Sequence, residues 1–124
     1  MRNNALWNCR NPNQGPMKHV LCVCSAGLLR SPTIAYVLAN QGYNTRAVGM
    51  HDYALAQIDE VFVTWADKIV CVDAEHAEEI RRKYALILDE KNIDVLDIPD
   101  IYGFRDPKLV EIVKEKLKEK GYFD

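Results

Sequence analysis

Cys24 and Arg30 stand six positions apart, at the two ends of the segment Cys24-Ser25-Ala26-Gly27-Leu28-Leu29-Arg30, and Ser31 follows. The apolar run before it, His19-Val20-Leu21-Cys22-Val23, reads as a buried strand, and the run from Pro32 reads as a helix. A thiol is thereby placed at a strand end, at the mouth of a loop that opens a helix, with an arginine close to where that helix starts. This arrangement suits holding a phosphate dianion and attacking its phosphorus with sulfur.

Each part of the segment has a task in that chemistry. The backbone N–H groups of Ser25, Ala26, Gly27, Leu28, Leu29 and Arg30 can turn inward as an anion nest, and Gly27 tolerates the left-handed angles that a close approach needs. The start of the following helix adds its unpaired N–H groups and its positive end. The Arg30 guanidinium offers a fork matched to two phosphate oxygens. The same positive field is expected to lower the pKa of Cys24 and favour the thiolate, which can attack phosphorus in line to give a thiophosphate. The Ser31 hydroxyl can donate to that thiolate, cap the helix, or do both. A departing alkoxide or phenoxide needs a proton, and Asp100 is the candidate donor, with Asp97 and Asp106 as competitors. Asp97 is equally readable as a loop-orienting residue, and Asp106, before Pro107, as the cap of the last helix. Tyr102 and Tyr53 can wall a slot for an aromatic leaving group or serve as ordinary packing, and His51, after the second strand, is placed to touch substrate.

These groups need elements that bring them to one rim. Strands are expected at 19–23, 45–48, 68–72 and 93–98, and helices from Pro32 to the Asn40-Gln41-Gly42 stop, over 55–67, over 74–88 and over 107–120. The alternation implies an α/β fold, a three-layer sandwich with a four-stranded parallel central sheet and helices on both faces. In such sheets ligands bind beyond the carboxyl ends of the strands. Cys24 lies at one carboxyl end, and Asp97 and Asp100 at another. Residues 1–17, rich in Asn, Pro and Gly, read as a flexible or loosely docked tail pinned by Trp7, and 18–124 as a single domain. His76, on the helix over 74–88, reads as a surface residue, and His19 as structural or edge-exposed.

A chain of 124 residues with 48% hydrophobic residues can bury one core. The net charge of -2 and the absence of a long basic cluster argue against a nucleic-acid partner. No apolar stretch has membrane-span length and no signal-peptide run opens the chain, so no membrane partner and a cytoplasmic location are expected. The four cysteines, Cys9, Cys22, Cys24 and Cys71, are expected to stay reduced. The Cys22-x-Cys24 spacing is too tight for zinc, and His19, His51 and His76 do not form a spaced ligand set, so neither metal nor cofactor is expected. A monomer or weak dimer is the expected state.

The run Val20 to Pro32 resembles the first strand and the Cys-x5-Arg-Ser-Pro loop of the low-molecular-weight protein tyrosine phosphatases. The stretch Leu96-Asp97-Ile98-Pro99-Asp100-Ile101-Tyr102 resembles the acid loop of that family, and Trp65-Ala66-Asp67-Lys68-Ile69-Val70 the entry to its third strand. The similarity spans roughly residues 18 to 120 and is nearest a short bacterial and phage branch. It implies Cys24 as nucleophile, Arg30 as phosphate ligand, Ser31 as thiolate support, Asp100 as general acid and Tyr102 as a wall of the substrate slot. The chain departs from the family at Gly27, where asparagine is usual, at Leu29, where the eukaryotic type has a second cysteine, and at Ile101, where proline usually follows the acid. The expected function is a cysteine-dependent phosphomonoester hydrolase acting on phosphotyrosine protein. The alternatives are a phosphatase of a small phosphorylated metabolite or nucleotide, an arsenate reductase and a non-catalytic phosphate-binding module. The reductase needs partner cysteines to resolve its intermediate, and no cysteine follows Cys71.

Overall fold

The fold is built from a computed structural model that describes residues 18–25, 30–50, 54, 56–88, 92–99 and 106–123. Strands β1 (His19–Cys24), β2 (Asn44–Gly49), β3 (Lys68–Cys71) and β4 (Asn92–Val95) form one parallel sheet in the order β2-β1-β3-β4. Between and after them come helices α1 (Arg30–Ala39), α2 (Glu60–Trp65), α3 (Ala74–Lys83), α4 (Ala85–Leu88) and α5 (Pro107–Glu119). The strand order reverses at β1, which is central, and its carboxyl end is therefore the switch point at which such sheets bind ligands.

The apolar runs of β1 and β3 exist because both faces are covered. Val20, Cys22 and Cys24 share a core with Val70, Val72, Ile34, Leu38, Leu109, Val113 and Leu117, which places α1 and α5 on that side. The alternate residues, Leu21 and Val23, join Ile69, Cys71, Val63, Ala77, Ile80 and Tyr84, which places α2 to α4 on the other. The three-layer α/β sandwich expected from the sequence is the one observed.

Local chemistry sets the ends of the elements. α1 stops at a turn in which Gly42 takes φ 98°, with its N–H on the Ala39 carbonyl at 3.0 Å and the Tyr43 N–H on Leu38 at 3.2 Å. Gly121, at φ 87°, closes α5 in the same manner. Asp106 caps α5, accepting from the Lys108 N–H at 2.9 Å, with Pro107 in the first turn.

Two expected helices are shorter than read. The helix over 55–67 is only Glu60–Trp65. Upstream of it Gln57 bridges Gly49, with the Ile58 N–H on the Gly49 carbonyl at 3.0 Å, so that part is spent extending the sheet edge. Asp59 then caps the helix through the Phe62 N–H at 3.0 Å. Its end comes early because Ala66 is extended and Asp67 turns back to His19, pairing backbone N–H to carbonyl at 2.8 Å and carboxylate to N–H at 2.9 Å. The helix over 74–88 breaks at Tyr84 into α3 and α4. Tyr84 is buried, and its hydroxyl reaches the Ile58 carbonyl at 3.4 Å, so the ring is fixed by the core rather than by helical continuity. The fourth strand ends formally at Val95, but the Leu96 and Ile98 N–H groups still donate to the Cys71 and Val72 carbonyls at 2.9 and 3.1 Å. Asp97, between them, is exposed at φ 55°. It is a non-glycine residue in left-handed backbone, where aspartate is among the better tolerated types.

Candidate active site

Cys24 is the last residue of β1, in register with Gly49 of β2, and its carbonyl accepts the Met50 N–H at 2.9 Å. Both neighbours of β1 thus hold the nucleophile candidate's backbone in place, since the Val23 carbonyl also accepts the Val72 N–H at 3.1 Å. Cys24 is 3% exposed, and its thiol donates to Ser31 Oγ at 3.1 Å. Ser31 lies inside the first turn of α1, which begins at Arg30 rather than at Pro32, and its own hydroxyl faces the Val48 carbonyl at 3.4 Å. The serine therefore bridges β1 to β2 through its side chain. A hydroxyl so placed has one hydrogen and two acceptors. With a thiol beside it the hydrogen goes to Val48, and with a thiolate it can turn to sulfur.

Arg30 is the first residue of α1 and is 5% exposed. Its Nη1 donates to the Ile98 carbonyl at 2.7 Å and lies 3.4 Å from Asp73 Oδ2. A buried guanidinium needs such partners, because an unpaired charge in this place would be costly. One partner comes from the segment after β4 and one from the turn after β3, so the arginine is oriented by the carboxyl ends of both strands. Asp73 occupies the N-cap position of α3 but makes no side-chain cap hydrogen bond, since its carboxylate is directed to Arg30.

Next to the thiol, Ser25 Oγ is 3.2 Å from His76 Nε2 on α3. Ser25, Arg30, Met50, Asp73, Glu75, His76 and Glu79 line a cavity of about 450 Å³ at this rim. The other two cysteines of the sheet are chemically quiet. Burial pushes the Cys22 thiol well up, reinforced by Cys71 and Cys24, and burial pushes Cys71 up to about 12.

The sequence matches no protein-family model and no curated protein. Solved structures do match it. A low-molecular-weight protein tyrosine phosphatase from Streptococcus pyogenes superposes with a TM-score of 0.69 at 15% identity, over 84% of this chain and 91% of that one. The chain has the fold of the low-molecular-weight protein tyrosine phosphatases. The arginine phosphatase YwlE from Geobacillus stearothermophilus is similar at a TM-score of 0.63 and 18% identity, over 83% of this chain and 92% of that one. The tyrosine phosphatase Wzb from Escherichia coli K30, solved with phosphate, is similar at 0.63 and 15%, over 85% and 96%.

Within this phosphatase fold the structure brings together Cys24, Ser25, Arg30 and Ser31, four of the residues read from the sequence as chemical. Ala26, Gly27, Leu28, Leu29, His51, Tyr53, Asp100 and Tyr102 lie outside the described residues, as does the tail 1–17. Asp106 caps α5 through the Lys108 N–H. His76 requires correction. It was expected on the surface of its helix, but it is 8% exposed and turned to Ser25. Glu75 and Glu78 beside it are exposed, and only the packing of α3 against the rim distinguishes the histidine from them. No helix among the described residues is long and apolar enough to cross a membrane.

Proposed function

We propose that the chain is a cysteine-dependent phosphomonoesterase whose preferred substrate is a phosphotyrosine side chain. The observation that carries this reading is the meeting of Cys24 Sγ with Ser31 Oγ at 3.1 Å, at the carboxyl end of the central strand and beside the buried Arg30. Cys24 attacks phosphorus as the thiolate while the Ser31 hydroxyl supplies a hydrogen bond to the sulfur. The dianion sits in the 25–30 segment, where backbone N–H groups and the Arg30 fork hold the equatorial oxygens as charge builds in the transition state. Arg30 comes to this task already desolvated and oriented by Ile98 and Asp73, so little reorganisation accompanies binding. Asp100 gives its proton to the leaving phenoxide and afterwards takes one from the water that cleaves the cysteinyl-phosphate, returning Cys24 as thiolate and releasing inorganic phosphate. Tyr102, Tyr53 and His51 form the slot beyond the phosphate. The chemistry needs no cofactor and no metal.

Two neighbours named as tyrosine phosphatases and one as an arginine phosphatase support phosphoryl chemistry on this fold while differing in what they act on. The test is a steady-state comparison of phosphotyrosine, phosphoarginine, phosphoserine and nucleoside monophosphates, each beside Cys24→Ser. Phosphotyrosine is expected to be turned over best, and the variant to lose at least about a thousandfold in rate while still binding phosphate. Undiminished turnover in Cys24→Ser removes the nucleophile, and preference for a nucleotide favours the metabolite phosphatase.

A further inference from the structure

The N-terminal end of α3 touches the 25–30 segment at both of that segment's ends. Asp73 meets Arg30, the last residue of that segment, at 3.4 Å, and His76, three positions further along the same helix, meets Ser25, the first, at 3.2 Å. Residues three apart lie on one face of a helix, so a single face presents both groups. The two are also tied to each other, since the His76 N–H donates to the Asp73 carbonyl at 3.2 Å. Asp73 forgoes the usual cap of its own helix to reach Arg30. His76 is a buried imidazole at a helix start crowded with carboxylates, a placement that a solvated face does not call for.

Ser25 follows Cys24 directly, so its side-chain anchor sets the direction of the first backbone N–H beyond the sulfur. Anion affinity depends on that direction, because nest N–H groups bind only when they converge. On the phosphatase reading above, we propose that His76 is a positioning residue: through Ser25 Oγ it fixes the entry of the phosphate-binding segment, as Asp73 fixes its exit through Arg30. α3 is thereby a two-point clasp on the loop.

The test measures binding of inorganic phosphate to the full chain by isothermal titration, with thermal melting run alongside. His76→Ala is expected to weaken phosphate binding about tenfold, and Ser25→Ala by a similar factor. The double variant is expected to be no weaker than either single one, because both remove the same contact. His76→Gln, whose terminal amide reaches the Nε2 position, is expected to recover most of the loss. Wild-type affinity in His76→Ala, or losses that multiply in the double variant, overturns the proposal. Should His76→Ala fail to fold, Ser25→Ala is compared in the wild-type and His76→Gln backgrounds. The clasp predicts that it erases any difference between histidine and glutamine, and a difference that persists overturns it. A wild-type chain that binds no phosphate overturns both this proposal and the phosphatase reading. One that binds phosphate and weakens as stated, yet hydrolyses no phosphoester, keeps the clasp and removes the phosphatase.

Discussion

Ser31 shows most clearly how one side chain can serve two states of the site. Its hydroxyl stands 3.1 Å from the Cys24 sulfur and 3.4 Å from the Val48 carbonyl, and the longer of these contacts is the one it would surrender when the sulfur ionises. Ser31→Ala is therefore expected to lower kcat for p-nitrophenyl phosphate by about ten- to a hundredfold, the worth of one hydrogen bond to a charged group, with a smaller change in KM. An unchanged kcat would reduce Ser31 to a packing residue. Cys24, Arg30 and Ser31 were legible in the sequence because their types are chemically distinctive and their spacing is local, fixed by one strand end and one helix start. His76 was not. Its partner Ser25 is 51 positions away, and nothing in the run Ala74-Glu75-His76-Ala77 marks which polar residue the fold turns inward.

At the scale of elements, the strands were readable because two covered faces demand unbroken apolar runs, and β1 and β3 fall where those runs fall. α5 was readable for the opposite reason, since Asp106, Pro107 and Gly121 mark its ends with side-chain and backbone chemistry that acts within a few residues. α2 and the α3–α4 break resisted the sequence because their limits are tertiary. Gln57 is extended by pairing with Gly49, Ala66 by the return of Asp67 to His19, and Tyr84 leaves helical geometry as its ring enters the core. Asp97 illustrates the same limit on a smaller scale. The flanking N–H groups of Leu96 and Ile98 are bound to the β3 side, and the aspartate absorbs the mismatch at φ 55°.

For the whole molecule, two buried thiols of the sheet and a tyrosine after α5 predict how stability responds to alkali. Cys71 is raised from 9.0 to about 12, and Cys22 and Tyr122 are raised as well, all three chiefly by burial. The unfolded chain then loses these protons first. Stability from this source is fully present below the ordinary thiol value near 9 and is lost as pH rises toward 12. Cys71 withdraws up to ~1.4 kcal/mol per pH unit inside that window. Denaturant midpoints are expected to fall from about pH 9 upward, and less steeply in Cys71→Val, whose side chain fills similar space without a proton to lose. Equal slopes in the two proteins would show that Cys71 is not held neutral by the fold.

The central claim is that Cys24 carries the phosphoryl group between substrate and water. Acid quenching of the enzyme during turnover of p-nitrophenyl phosphate, followed by mass spectrometry of its peptides, tests it most directly. The account predicts one phosphoryl group on the peptide containing Cys24, enriched in Asp100→Asn, where release of the intermediate is slowed, and absent from Cys24→Ser. A phosphoryl group on any other residue, or its persistence in Cys24→Ser, would contradict the account.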